Sequence, residues 1–123
     1  MKDHAIGFLG LVEQALSKVP EVDVYQLKNR LEKGEQFTLI DVREDKEWNL
    51  GRIPTAIHLG KGIIERDIES TVEDRNTELI LYCQGGFRSA LAAESLNKMG
   101  YQNVSSMSGG FSAWVENNFS ISQ

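Results

Sequence analysis

Short apolar runs alternate with longer segments of helical spacing along most of this chain of 123 residues. Two parallel strands need a connection that crosses the sheet, and a helix usually provides it. Right-handed crossovers then place helices on both faces of the sheet. The alternation therefore predicts an α/β fold with parallel strands. We predict strands at residues 37–42, 55–59, 78–83 and 103–109, and helices at residues 3–18, 23–34, 63–72, 88–100 and 110–118.

The length and composition fit one globular domain. Hydrophobic residues make up 41% and charged residues 25% of the chain, which are ordinary values for such a domain. The formal charge of −5 is unlike that of nucleic-acid-binding domains, which usually carry a basic face. A single cysteine forms no internal disulfide, and one cysteine with two distant histidines offers no metal-binding spacing. We therefore expect no nucleic-acid partner, no metal and no cofactor.

The first twenty residues have the spacing of an amphipathic helix. Asp3 dilutes the basic start that an export signal needs, and Glu13 interrupts an apolar stretch already too short to span a bilayer. We expect a helix that is capped near Asp3, ends before Pro20, and either packs on the sheet or docks a partner. Its predicted apolar stripe is Phe8, Leu9, Leu11, Val12, Ala15, Leu16 and Val19. We therefore expect a cytoplasmic protein without membrane association, with a helical extension at residues 1–19 and a domain at residues 20–123.

The single cysteine, Cys83, ends the most apolar predicted strand, and ligands of open α/β sheets bind beyond such strand ends. Gly85 and Gly86 permit positive φ angles, so that consecutive backbone N–H groups can face an anion. The helix that begins near Arg88 adds unpaired N–H groups, and its guanidinium adds a permanent positive charge. These features favour a thiolate, which a cysteine that merely fills the core does not need. We therefore predict that Cys83 is a nucleophile.

The surroundings of Cys83 narrow its chemistry to two kinds of covalent intermediate. A ring of N–H donors can hold an anionic group on the sulfur, either as a phosphocysteine or as a persulfide. The chain has no second cysteine that could resolve a persulfide as an internal disulfide. A sulfur atom loaded on Cys83 would therefore leave to an external acceptor, which is a ping-pong scheme.

Four stretches of the chain resemble the signatures of one family, in the family's order. They are LIDVRE at 39–44, GRIPTAIHL at 51–59, YCQGGFRS at 82–89 and MSGGFSAW at 107–114. The chain resembles a single-domain rhodanese of the thiosulfate sulfurtransferase family. The resemblance implies a three-layer fold with a central, mainly parallel sheet of five strands flanked by helices. It also implies an enzyme that moves a sulfane sulfur from thiosulfate, a persulfide or a polysulfide to a thiol, to cyanide or to a protein acceptor.

The same resemblance implies roles for individual residues. Cys83 matches the nucleophile that carries the persulfide. The loop whose backbone amides surround the sulfur matches Gln84, Gly85, Gly86, Phe87 and Arg88. Asp41 and Arg43 match a signature near the site, and we also consider that they form a turn cap and a structural salt bridge. Ser89, directly after the loop, completes the supporting residues.

We assign structural roles, in turns or in core packing, to the remaining motif residues. We expect a tight turn into a strand at Gly51, Pro54 and Ala56, and a turn with core packing at Gly109, Gly110, Phe111 and Trp114. Trp48 and His58 are interpreted as packing residues, and His58 is left outside the site. His4 has no partner that the sequence reveals.

Two alternative functions use the same fold. The first is a cysteine-dependent phosphatase or arsenate reductase. Dual-specificity phosphatases of the cell-cycle type place five residues between the cysteine and the arginine, whereas four separate Cys83 from Arg88. The shorter loop predicts a smaller cradle, which suits a sulfur atom better than a tetrahedral phosphate. A sulfur relay or binding module acting on protein partners would use the same residues as the enzyme. Because Gln84 is neutral and Phe87 is apolar, we expect thiosulfate to be a poor donor.

Overall fold

The strands of the molecule form one parallel sheet in the order β1-β5-β4-β2-β3. The computed structural model describes residues 4–123. Within them the strands are β1 (Glu21–Val22), β2 (Thr38–Asp41), β3 (Ile57–His58), β4 (Leu79–Tyr82) and β5 (Val104–Met107). The helices are α1 (Ile6–Leu16), α2 (Val24–Glu32), α3 (Asp45–Leu50), α4 (Ile64–Thr71), α5 (Phe87–Lys98) and α6 (Gly110–Glu116). The predicted α/β class and five-stranded sheet are confirmed.

The central strand β4 is buried on both faces. Alternate residues of a strand point to opposite faces of the sheet, and the side chains of β4 accordingly enter two separate clusters. Leu79, Leu81 and the following Cys83 pack among residues of α4 and α5, whereas Ile80 and Tyr82 pack among residues of α2 and α6. Burying a large apolar side chain stabilises the fold by about 1.5–3 kcal/mol. The three layers therefore hold β4, and the start of the loop after it, rigidly.

The register of β2 against β4 places the two central motifs side by side. Asp41, the last residue of β2, lies opposite Tyr82, the last residue of β4. Both strands run in the same direction, so the segments that follow them emerge at the same edge of the sheet. The Asp-x-Arg segment and the cysteine loop therefore meet there.

Two elements escaped prediction because they are short. Strand β1 has two residues, too few to show a period of two, and helix α3 has six, too few to show a helical stripe. Helix α3 does carry a local signal, since the Glu44 N–H donates to Glu47 Oε1 at 3.1 Å in half of a capping box. Predicted strand 55–59 shortens to β3, because a turn precedes it.

That turn forms where the sequence predicts it. The Ala56 N–H donates to the carbonyl oxygen of Ile53 at 3.2 Å across Pro54 and Thr55. Thr55 has a φ of 76°, in the left-handed region that the third residue of a type II turn requires. A β-branched residue is strained in this region, so Thr55 stores some conformational strain.

Helix α1 packs on α5 through a narrower stripe than the sequence indicates. Val12 and Ala15 are buried and Phe8 is half-buried, but Leu9 and Leu11 are 40% and 56% exposed, so their predicted place in the stripe is wrong. Residues 8, 12 and 15 are spaced by four and three positions and so share one face of the helix, whereas residues 9 and 11 lie on either side of that face. The predicted cap at Asp3 lies outside the described residues. Over residues 4–123, no helix combines the length and apolarity that a bilayer crossing requires.

Helix α2 begins where the predicted helix 23–34 starts, with Asp23 as its N-cap. The Gln26 N–H donates to Asp23 Oδ1 at 2.8 Å, and the Asp23 N–H donates to Gln26 Oε1 at 2.8 Å, which completes a capping box. Gly34 follows the helix with a φ of 69°. Val24 and Leu27 are buried, whereas Tyr25 is 61% exposed.

Candidate active site

Cys83 lies directly after β4, and its side chain is 1% exposed. The backbone N–H groups of Gly86 and Ser89 point at its Sγ atom, with donor–sulfur distances of 3.1 and 3.4 Å. The Ser89 hydroxyl oxygen also lies 3.4 Å from Sγ. The structure thus places two backbone N–H donors and one hydroxyl around one sulfur. Such a cradle stabilises negative charge on the sulfur or on an atom bonded to it.

Of the two loop glycines, Gly86 alone adopts a positive φ, at 104°. This conformation turns the Gly86 N–H toward the sulfur. A Cβ atom at Gly86 would also lie 3.3 Å from the Gly109 nitrogen and the Met107 oxygen. Gly85 faces open space and is exposed, so it provides access above the loop rather than a special backbone angle.

The start of helix α6 is hydrogen-bonded to the backbone of the cysteine loop. The Phe111 N–H donates to the Cys83 carbonyl oxygen at 2.8 Å, and the Ser112 N–H donates to the Gln84 carbonyl oxygen at 3.0 Å. The approach is so close that a Cβ atom at Gly110 would lie 2.6 Å from the Cys83 oxygen. The glycine of this predicted turn is therefore needed to anchor the loop.

Arg88 is paired with a residue that the sequence analysis missed. Its Nη1 and Nη2 groups donate to Glu47 Oε1 and Oε2 at 3.0 and 3.1 Å. Hydrogen bonds from Arg88 lower the pKa of Glu47, and hydrogen bonds to Glu47 raise the pKa of Arg88. Both groups are therefore charged at neutral pH. The positive electrostatic potential that Arg88 produces at Cys83 is therefore weaker than that of an unpaired arginine.

Asp41 and Arg43 form a buried ion pair beside the loop. Arg43 Nε lies 3.0 and 3.1 Å from the two Asp41 oxygens, and Arg43 Nη2 donates to Asp41 Oδ2 at 2.8 Å. The same Nη2 donates to the Gly51 carbonyl oxygen at 2.6 Å. The alternative of a structural salt bridge fits this geometry, because neither residue reaches Sγ in the structure.

The buried pair nevertheless reaches the loop through Gln84. Arg43 Nη1 donates to Gln84 Oε1 at 3.3 Å, and Gln84 Nε2 donates to Ser112 Oγ at 3.0 Å. The Gln84 side chain therefore spans from the Asp-x-Arg segment to α6 and lies beside the sulfur cradle. Its contacts fix the position of the loop.

Behind Ser89 lies a second buried hydroxyl, on strand β5. Ser89 Oγ and Ser106 Oγ are 2.8 Å apart, and Ser106 Oγ donates to the Gly86 carbonyl oxygen at 3.4 Å. Ser89 and Ser106 are both fully buried. Ser106 escaped the sequence analysis, since a serine within a short strand has no pattern that marks it.

A cavity of about 240 Å³ adjoins the loop. Its polar lining is formed by Arg43, Glu47 and Gln84, and its apolar lining by Leu50, Phe111 and Ile121, with Gly51 between them. Ile121 reaches this position because Ser122 pairs with Arg52 through two backbone hydrogen bonds, of 3.0 and 2.8 Å. The cavity can hold a small molecule next to the Gln84 end of the loop.

The two histidines lie outside the cradle. His58 Nε2 lies 2.8 Å from the Arg43 carbonyl oxygen, and its ring stacks on Trp48 with centroids 4.8 Å apart. His58 thus packs as predicted. His4 does have partners, since its ring lies 5.2 Å from the rings of both Phe8 and Phe87. The side chain of Phe87 in the loop is therefore in contact with the N-terminal segment.

Known proteins resemble this chain over most of its length. A sulfurtransferase of Allochromatium vinosum is 33% identical over 103 residues, which cover 84% of this chain and 94% of that protein. The rhodanese-like domain of an Anabaena protein superposes with a TM-score of 0.75 at 30% identity, covering 84% of this chain and 78% of that one. A protein of unknown function from Rhodopseudomonas palustris, described as a possible tyrosine phosphatase, superposes with a TM-score of 0.89 at 25% identity over 99% of both chains.

The family model agrees with the motifs read from the sequence. The model of the rhodanese-like domain matches residues 23–117, which is most of the chain and includes the whole cysteine loop. Relatives with sulfurtransferase names support a sulfur-transfer role of the rhodanese type. The chain belongs to the family of rhodanese-like domains.

Proposed function

We propose that the protein is a sulfurtransferase that carries a sulfane sulfur as a persulfide on Cys83. The observation that carries this proposal is the pair of backbone N–H groups, from Gly86 and Ser89, that donate to the Cys83 sulfur, with the Ser89 hydroxyl 3.4 Å from the same atom. Donors arranged in this way stabilise a thiolate and an anionic persulfide alike. The sulfurtransferase relative supports the same chemistry.

The transfer takes two displacement steps. In the first, the Cys83 thiolate attacks the outer sulfur of the donor, and the donor leaves with the electron pair of the broken bond, as sulfite or as a thiolate. In the second, the acceptor attacks the outer sulfur of the Cys83 persulfide, and the Cys83 thiolate leaves. Each step forms one bond to sulfur and breaks one, so no oxidant or reductant is consumed. A thiol acceptor becomes a persulfide, and cyanide becomes thiocyanate.

A phosphatase activity is the competing proposal, since one structural neighbour is described as a possible tyrosine phosphatase. Two features of this chain argue against it. Only four residues separate Cys83 from Arg88, so the N–H groups close around the sulfur itself. Arg88, the one cation of the loop, is neutralised by Glu47, which leaves little charge for a phosphate dianion.

Intact mass spectrometry tests the proposal. The protein is exposed in turn to thiosulfate, glutathione persulfide and inorganic polysulfide, and Cys83→Ala serves as the control. We expect wild type to gain the mass of one sulfur and to lose it on addition of cyanide. Hydrolysis of an aryl phosphate is measured in parallel. If no donor loads the protein while the aryl phosphate is hydrolysed in a Cys83-dependent manner, the phosphatase replaces the sulfurtransferase.

A further inference from the structure

Within residues 4–123, the two arginines beside the cysteine loop, Arg43 and Arg88, are each paired with a carboxylate. Arg88 donates two hydrogen bonds to Glu47, and Arg43 donates to both oxygens of Asp41. Arg43 is buried with its partner, and the Arg88–Glu47 pair is about 30% exposed, with side-chain exposures of 32% and 29%. The two pairs together carry no net charge.

The positive and negative charges that line the cavity beside the loop also cancel. Of the two cations, only Arg43 lines it, and its guanidinium is already engaged by Asp41 and by the Gly51 carbonyl oxygen. Glu47 lines the cavity with its negative charge, and the remaining wall includes Leu50 and Ile121, which are 78% and 44% exposed. A doubly charged anion entering here would meet a carboxylate and apolar groups, without a free cation among the lining residues.

We propose that Glu47 is a specificity-determining residue, which selects sulfur donors of low charge with an apolar substituent, such as organic persulfides and polysulfides, over the thiosulfate dianion. This inference rests on the proposed sulfurtransferase function. Glu47 acts on the donor through space: its carboxylate cancels the field of Arg88 and repels anions at the cavity. Each negative charge on a donor increases the repulsion, because Coulomb energy scales with the product of the charges.

Replacing the carboxylate with an amide tests this electrostatic role. In Glu47→Gln the amide oxygen can still accept from Arg88 and from the Glu44 N–H, which is 3.1 Å from Glu47 Oε1 in wild type. The helix cap is therefore retained while the negative charge is lost. The variant is expected to fold, and its effect on donor selection then reports the charge alone.

Two donors that differ by one charge provide the readout, namely thiosulfate with two negative charges, which leaves as sulfite, and an aryl thiosulfonate with one, which leaves as a sulfinate. The specificity is expressed as kcat/KM for thiosulfate divided by kcat/KM for the thiosulfonate, which cancels any common change in Cys83 reactivity. In Glu47→Gln we expect this ratio to rise about threefold. Most of the thiosulfate gain should appear as a lower KM.

A charge change on the same helix is the matched control. Asp45 is 93% exposed and does not contact Arg88, so Asp45→Asn removes one negative charge from α3 without altering the pair. We expect its donor ratio to stay within about twofold of wild type, because exposed charges are strongly screened. Equal ratios for Glu47→Gln and wild type, or an equal rise in Asp45→Asn, would overturn the inference.

Ionic strength gives a second test that needs no variant. If the wild-type site has no free cation, kcat/KM for thiosulfate should not fall as salt is added, whereas in Glu47→Gln it should fall. A steep fall in wild type would contradict the inference. The proposed function fails separately, since in that case no donor of any charge loads sulfur on Cys83.

Discussion

The backbone N–H of Phe111 donates a hydrogen bond of 2.8 Å to the carbonyl oxygen of Cys83. The start of α6 is thereby fixed against the residue that carries the sulfur. Two consecutive glycines with positive φ, Gly109 and Gly110, make this approach sterically allowed. The shape of the cradle therefore depends on a segment 27 residues away from Cys83 in the sequence.

Gly110→Ala should destabilise the protein and abolish sulfur loading. The new Cβ atom would lie 2.5 Å from the Gln84 oxygen and 2.6 Å from the Cys83 oxygen, and the φ of 59° is strained for alanine. We expect a loss of about 2–4 kcal/mol in the free energy of unfolding. Urea denaturation measures it. The control is Gly85→Ala, whose Cβ atom meets nothing within 4 Å, and its unfolding midpoint should match that of wild type.

Thr55→Gly should stabilise the protein by about 1 kcal/mol. The φ of 76° is strained for threonine and allowed for glycine, and this gain exceeds the added flexibility of the unfolded chain. Thr71→Gly, the same substitution within α4, should instead lower stability by about 0.5–1 kcal/mol. Thermal unfolding compares the two variants. A lower melting temperature for Thr55→Gly would contradict the strain argument.

Asp41→Asn should cost about 3–5 kcal/mol in the free energy of unfolding, because Arg43 would keep its charge in a buried site without a counter-ion. Asp67→Asn removes the partner of Arg66 at the surface and should change stability little. Denaturant titrations at neutral pH measure both variants. Equal losses in the two would show that burial of the Asp41–Arg43 pair is unimportant.

The pair between Arg30 and Glu78 should make stability depend on pH. Arg30 donates hydrogen bonds of 2.7 and 2.6 Å to Glu78, and these bonds lower the pKa of Glu78 in the folded state. The stabilisation is therefore present above the unfolded pKa of about 4.3 and is lost as the pH falls through the lower folded value.

Glu78→Gln should remove this part of the acid sensitivity. Between about pH 5 and pH 3, wild type should lose more unfolding free energy than the variant does. Glu13→Gln, at an exposed glutamate of α1, serves as the control and should follow wild type. Parallel slopes for wild type and Glu78→Gln would exclude the pair as a source of the pH dependence.

Ser89→Ala should slow the reaction of Cys83 with iodoacetamide near neutral pH. The variant loses a hydroxyl 3.4 Å from the sulfur, and hydrogen bonds to a charged group are worth enough to change the rate by about tenfold. Ser105→Ala, on the opposite face of β5 from Ser106, should react like wild type. Equal rates for Ser89→Ala and wild type would show that the hydroxyl does not stabilise negative charge on the sulfur.

The elements that the sequence predicted well are those with a long enough pattern. The apolar run that ends at Cys83 could only be a buried strand, and Asp23 with Gln26 forms a local cap that needs no tertiary information. Glycine spacing likewise indicated the cradle around the sulfur. Such features depend on neighbours within a few residues, so they can be read directly from the chain.

The residues that escaped prediction act through the tertiary structure. Glu47 meets Arg88 across 41 residues, on a helix of six residues that shows no stripe. Ser106 reaches Ser89 only because β5 pairs with β4. Conversely, Leu9 and Leu11 are apolar yet exposed, since only three or four positions per two turns of α1 can face α5. Contacts of this kind depend on the order of strands, which no local pattern contains.

The bridge between Ser122 and Arg52 has a practical consequence for expression. It fixes Ile121 as a wall of the cavity, so a purification tag joined directly to Gln123 would emerge beside this cavity. At the other end, His4 touches Phe87 of the loop, so a tag there would also lie near the site. A long flexible spacer, followed by tag removal, should therefore precede any kinetic measurement on this protein.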